Sequence, residues 1–216
     1  FVSADGGETW DDRISGKEIP EISAGGKDGL IAGFHTAIVQ RMDGSLLAFG
    51  RTNLSTGLVP IDGRMPQSIS HDMGHSWTYS ASPFPTVGGG QRLAMIRLVE
   101  GPILFVSFTD ERPVGGDGMT FVDEEDNSFT GYGMFAALSY DEGETWPIRR
   151  LLTTGDSARE MDGGGNTHKF IMDDTHAETR GYLGITQTPD RVIHLISSRY
   201  HYRFNLAWIE RVKPVG

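Results

Sequence analysis

Short apolar runs separated by turn residues recur along the chain. Residues 34–51 read FHTAIVQRMDGSLLAFGR, with Asp43-Gly44 between two apolar stretches. Residues 92–108, RLAMIRLVEGPILFVSF, break at Glu100-Gly101, and residues 182–199, YLGITQTPDRVIHLISSR, break at Pro189-Asp190. Two β-rich runs around such residues predict an antiparallel hairpin. After the first two hairpins comes a polar loop and a third apolar run, PQSIS from 66 or GMFAALSY from 133, with a fourth apolar segment beyond it. In the last unit RFNLAWIER supplies the third strand. Almost no segment carries helical periodicity with caps. The expected fold is all-β.

Between the third and fourth strands an octapeptide repeats. It reads SADGGETW from residue 3, SHDMGHSW from residue 70 and SYDEGETW from residue 139, with starts 67 and 69 residues apart. All three obey Ser-x-Asp-x-Gly-x-Thr/Ser-Trp. A four-stranded antiparallel unit repeating at this period predicts a β-propeller, whose blades stack around an axis. A tight reversal explains the residue types. Gly7, Gly74 and Gly143 supply the unhindered backbone, and Asp5, Asp72 and Asp141 accept bonds from turn amides. Trp10, Trp77 and Trp146 are expected to bury their rings between sheets. Catalysis by these aspartates fits poorly, because one active site does not need the same carboxylate three times.

The octapeptide resembles the Asp-box, or BNR repeat, of sialidases and their relatives, and the resemblance extends over the whole chain. Sialidase propellers usually have six blades. About three are expected here: the end of one in 1–25, a second in 30–85, a third in 88–155 and the start of a fourth in 180–212. Either the chain is part of a longer propeller, or two copies complete one ring. A secreted or periplasmic location is the family's expectation. The chain begins inside the repeat without an initiating methionine, and no signal peptide is visible.

Composition narrows the function classes. The 216 residues carry a formal charge of −10, which argues against nucleic acid as partner. A local arginine cluster can still hold an acidic sugar. No apolar run approaches the ~20 residues that span a bilayer. There is no cysteine, hence no disulfide or thiolate metal site. The 29 glycines suit many tight turns. No cofactor is expected; the acidic run from Asp117 to Asp126 could hold calcium by its oxygen ligands, although its spacing is not that of an EF-hand. The glycines of MDGGGNTHKF (161–170) lack the ending and context of a phosphate loop.

In a propeller the loops leading into strand one and those joining strands two and three share a face, opposite the octapeptide turns. That face is expected to carry His35, Gln91, Arg92 and Tyr182 at the starts of first strands. The longer loops add Arg51, Arg64, Asp110, Glu111, Arg112 and Tyr132. A final loop, SRYHYRFN, adds Arg199, Tyr200, His201, Tyr202 and Arg203. Arginine clamps a carboxylate or sulfate and aromatic rings stack on a sugar, so this loop is either a binding element or a solvated loop with tucked aromatics. His35 is either a proton-transfer group or a histidine bonded to a carbonyl.

The sialidase resemblance implies a tyrosine nucleophile near the start of a late inner strand, paired with a glutamate, and three arginines on the substrate carboxylate. RGYLGITQ places Tyr182 in that setting. Arg64, Arg92 and Arg199 are the candidate arginines, and no partner glutamate stands out. Three functions follow: an exo-glycosidase on an acidic or substituted glycan, a polysaccharide lyase in which His35 and Tyr182 remove a proton beside a uronate carboxylate, or a noncatalytic glycan- or protein-binding propeller.

Overall fold

A computed structural model describes residues 1–12, 22–53, 58–110, 115–155 and 157–215. The chain is all-β, built of antiparallel sheets with almost no helix. The first sheet contains β1 (Lys27–Asp28), β2 (Phe34–Gln40), β3 (Leu46–Arg51), β4 (Pro66–Ser70) and β5 (Trp77–Ala81), in the order β1-β5-β4-β3-β2. A short β6 (Gln91–Arg92) precedes the second sheet, whose β7 (Ala94–Arg97) and β8 (Ile103–Phe108) form a hairpin. Next, β9 (Met119–Val122) and β10 (Ser128–Gly131) form a hairpin of their own. The second sheet resumes with β11 (Met134–Ser139) and β12 (Ile148–Leu151), in the order β12-β11-β8-β7. A further hairpin joins β13 (Arg159–Asp162) to β14 (Lys169–Met172), around a 3-10 turn at Gly165–Thr167. Then β15 (Gly181–Tyr182) pairs in parallel with β6. The third sheet is β16 (Gly184–Gln187), β17 (Ile193–Ile196) and β18 (His201–Phe204), followed by the single-turn helix α1 (Leu206–Ile209). Among the described residues no helix is long and apolar enough to cross a membrane.

The core lies between the sheets. All six residues of β8 and of β11 are buried, because neighbours cover both faces of these strands. A continuous apolar run, not an alternating one, is the sequence form of such a strand. Phe84 and Phe105 meet at 4.6 Å between ring centres, Phe49 and Phe105 at 4.9 Å, and Trp146 closes the cluster 5.4 Å from Phe84. The first strands adjoin: β2 packs on β7, and β7 on β16.

The three octapeptides fold alike. Asp141 accepts the Thr145 amide at 2.8 Å and its hydroxyl at 2.5 Å, while Ser139 Oγ donates to Asp141 and accepts the Gly143 amide at 2.7 Å. The same bonds recur around Asp72 and Asp5. Gly143 sits at φ +89°, and a Cβ there would lie 2.4 Å from Leu47 Cδ2. Glycine is required on both counts. Trp77 and Trp146 are buried, whereas Trp10 is 62% exposed. The first turn keeps its internal bonds, including Trp10 Nε1 to the Gly7 carbonyl at 3.0 Å, but only the Val2–Asp11 bridge flanks it among the described residues. Among the described residues no sheet covers the ring.

Two segments differ from the sequence reading. The acidic stretch expected as a loop is partly the β9–β10 hairpin, held by stacked Phe121 and Phe129 rings. Within it Asp123 accepts the amides of Glu125 and Asn127, and Glu124 pairs with Arg150. No three His, Cys, Asp or Glu converge as metal ligands among the described residues. At the C-terminal end, His201–Phe204 is already a strand and LAWI is helical, capped by Asn205 Oδ1 on the Trp208 amide at 2.9 Å. The expected RFNLAWIER strand therefore begins earlier and ends at the cap.

Candidate functional site

The first-strand ends meet on one side of the sheets. The register pairs Phe34 with Arg51 at one end of the first sheet and Leu46 with Ser70 at the other. In the second sheet Ile103 faces both Arg97 and Ser139, while Met134 faces Phe108. The turns at Asp72 and Asp141 thus lie at the end away from His35 and Arg92.

His35 occupies a bulge where the β2–β3 register shifts, with φ +51°. A side-chain-bearing residue in that region stores strain of roughly 1–2 kcal/mol. Phe34 sets its edge against the imidazole, and the Arg51 guanidinium covers Phe34 at 4.1 Å. Arg51 is buried and donates to the carbonyls of Gly88 and Gln91. Gln91 is fully buried: its Oε1 accepts the Gly88 amide, and its Nε2 donates to the carbonyls of Asp110 at 2.6 Å and Thr179 at 2.9 Å. This amide ties three loops together and fixes β6.

Because β6 and β15 run parallel, Arg92 stands beside Tyr182. Tyr182 is 46% exposed, and its ring centre lies 5.8 Å from that of His35. Its amide donates to Ser198 Oγ at 3.2 Å. Arg199 lines a cleft of about 280 Å3 with Tyr182, Ser198 and the Gly163–Gly165 tip of the β13–β14 hairpin. It pairs with Asp162 at 2.9 Å, and Tyr200 donates its hydroxyl to the Asp162 carbonyl. Desolvation, then the nearby charges of Arg51 and Arg92, lower the His35 pKa below 6.5. The imidazole is therefore neutral at neutral pH and can accept a proton, beside an exposed phenol and a cationic rim.

Of the sequence candidates, His35, Tyr182, Arg92 and Arg199 come together, with Arg51 and Gln91 beneath them and Tyr200 alongside. The others lie elsewhere. Arg64 sits on the Asp62–Gly63 turn, close enough to Arg149 to depress the latter's pKa after desolvation. His201 and Arg203 are on β18, not in a loop, and line a separate groove with Thr153 and Trp208. The His201 ring stacks on His194. Glu111 and Arg112 fall outside the described residues.

Glu178 was not anticipated. It is fully buried, and its carboxylate accepts the Ser197 hydroxyl at 2.9 Å and the Tyr202 hydroxyl at 2.7 Å. A Cβ on Gly181 would lie 3.3 Å from Glu178 Oε1, so the carboxylate sits directly behind the strand that carries Tyr182. Among the described residues, the tyrosines bonded to glutamate are Tyr202, to Glu178, and Tyr140, to Glu210.

No protein-family model matches the sequence, and no curated protein matches it. Among solved structures, the chain is similar to an intramolecular trans-sialidase from Ruminococcus gnavus, crystallised with oseltamivir carboxylate, at 18% identity and a TM-score of 0.43, over 83% of this chain and 34% of that one. It is also similar to a protein of unknown function from Dyadobacter fermentans at 12% identity and a TM-score of 0.34, over 83% of this chain and 62% of that one. The chain thus spans about a third of the first structure's length and under two thirds of the second's. Overlaps this weak carry no inference about the site.

Proposed function

We propose that the chain is part of a sialidase-like β-propeller, with Asp-box turns at residues 3, 70 and 139, that hydrolyses an acidic or substituted glycan at the Tyr182 cleft. Its blades would run over 1–25, 30–85, 88–155 and 180–212, with the remaining blades supplied by further chain or by a second copy. The observation that carries the reading is the placement of the His35 ring with its centre 5.8 Å from that of the exposed Tyr182, with Arg92 beside Tyr182 in register and the His35 pKa lowered by desolvation and the charges of Arg51 and Arg92. Arg92, and Arg199 once drawn from Asp162, orient the anionic group of the sugar. Tyr182 acts as nucleophile or stabilises positive charge developing at the anomeric carbon, and an uncharged phenol approaches an anionic sugar without like-charge repulsion. His35 moves the proton.

One feature favours a second reading. A neutral imidazole flanked by arginine also suits abstraction of the proton next to a uronate carboxylate, which would make the protein a lyase. Mass spectrometry of products from a panel of acidic glycans separates the readings. Hydrolysis adds one water per cleaved bond, whereas elimination adds none and leaves an unsaturated uronate. Tyr182→Phe is expected to abolish turnover and retain glycan affinity. An unchanged panel together with retained binding would make the propeller a noncatalytic glycan-binding module.

A further inference from the structure

A larger cavity, of about 930 Å3, is also lined by the β13–β14 hairpin. The tip of that hairpin lines the Tyr182 cleft, while Thr167–Ile171 line this cavity. Gln91 links the two places: its side chain holds the carbonyls of Asp110 and Thr179, both wall residues of the cavity, and its backbone pairs with Gly181 beside Tyr182.

The wall carries a built aromatic platform. Tyr132 and His176 stack with ring centres 5.1 Å apart and planes 15° from parallel. Their backbones are bonded side by side, with the Tyr132 amide on the Thr175 carbonyl and the Ala177 amide on the Tyr132 carbonyl. Asp173 Oδ1 holds the His176 backbone amide at 2.8 Å and its Nδ1 at 2.9 Å. Thr175 Oγ1 also lies 3.0 Å from Nδ1, so Nδ1 is held on the protein side while the rest of the ring is open, the side chain being 44% exposed. Lys169 on the cavity wall is paired with Glu160 at 2.6 Å, and the Asp110 carboxylate is hydrogen-bonded to the Thr109 hydroxyl and the Gly118 amide. This differs from the arginine-flanked Tyr182 cleft.

We infer that this cavity binds an uncharged pyranose residue, stacked on the His176–Tyr132 platform, as a second subsite for the glycan whose acidic end occupies the Tyr182 cleft. A pyranose offers an apolar C–H face to an aromatic ring and hydroxyls, which both donate and accept, to the outer imidazole nitrogen and the Asp110 carboxylate. The cavity is at the upper end of the roughly 300–1,000 Å3 of ligand pockets, enough for more than one ring. The linkage between the two subsites rests on the function proposed above; binding of a neutral sugar does not.

The test is NMR titration with the methyl pyranosides of glucose, galactose, mannose and N-acetylglucosamine. At least one is expected to shift the ring resonances of Tyr132 and His176. His176→Ala should weaken that binding roughly two- to tenfold, and His176→Phe, which keeps a stacking face, should restore most of it. Melting temperatures of both variants report whether the fold is kept. The inference is overturned if none of the four sugars shifts these rings, or if the shifts survive His176→Ala in a folded protein. Turnover of acidic glycans with no sugar at His176 would remove the subsite and leave the proposed function standing. Sugar binding at His176 without turnover would do the reverse, leaving a binding site for neutral sugars.

Discussion

The Glu178 carboxylate, fully buried, takes the Tyr202 hydroxyl on one oxygen and the Ser197 hydroxyl on the other. Burial raises its pKa above 4.5, opposed by these two bonds. The folded protein therefore binds the proton more tightly than the unfolded chain. Stability from this group is full below pH 4.5 and is lost as pH rises through the folded-state value. Glu178→Gln removes that dependence, so the variant should gain on the parent as pH rises above 4.5 in denaturant unfolding. Glu178→Ala leaves two buried hydroxyls without an acceptor and should cost about 1–3 kcal/mol at neutral pH.

The repeated tryptophans should part company on mutation. Trp146 sits in the aromatic cluster with Phe49, Phe84 and Phe105, so Trp146→Ala is expected to cost about 3–5 kcal/mol. Trp10 is largely exposed, and Trp10→Ala should stay within about 0.5 kcal/mol. Thermal unfolding of the two variants measures the difference directly. Equal losses would mean that the first turn is covered by structure beyond the described residues.

Gly133 controls the approach of the 173–179 segment. Its φ is +105°, and an added Cβ would lie 2.5 Å from the Ala177 carbonyl oxygen. Gly133→Ala should therefore destabilise by upwards of about 1 kcal/mol. It should also pull Tyr132 from His176, read as loss of the nuclear Overhauser contacts between the two rings.

Much of the sheet structure was legible because its signals are local. Asp43-Gly44 and Glu100-Gly101 mark turns whose flanking apolar runs do pair, and β8 and β11 read as unbroken apolar runs because both their faces are buried. His201–Phe204 was misread because aromatic and charged residues alternate there. Tyr202 and Phe204 are partly buried while His201 and Arg203 point to solvent, which is the strand period hidden by the aromatic character of both faces. Asn205, which caps α1, lies inside the RFNLAWIER segment expected as a strand. Glu178 left no local signal at all. Its partners come from the β17–β18 turn and strand, and only the tertiary fold brings a lone glutamate to them. Tyr132 and His176 were invisible as a pair for the same reason, since neither is part of a repeating pattern.

His35 offers the sharpest test of the Tyr182 cleft. Desolvation first, and then the positive charges of Arg51 and Arg92, depress its pKa below 6.5. The unfolded chain thus binds the proton more readily than the folded one. The group's stabilising contribution is fully present above pH 6.5 and is lost as pH falls through the folded-state value. The same titration governs chemistry: a base that must be neutral keeps working below pH 6.5, so the acid limb of kcat/KM should fall below that of an ordinary imidazole. Arg92→Ala removes one charge, so it should move both the His35 NMR titration and the acid limb upward together. Tyr182→Phe should leave the titration in place while abolishing turnover. A His35 midpoint at or above 6.5, or an acid limb that ignores the Arg92 substitution, would remove the imidazole from the reaction and leave Tyr182 to act with another proton acceptor.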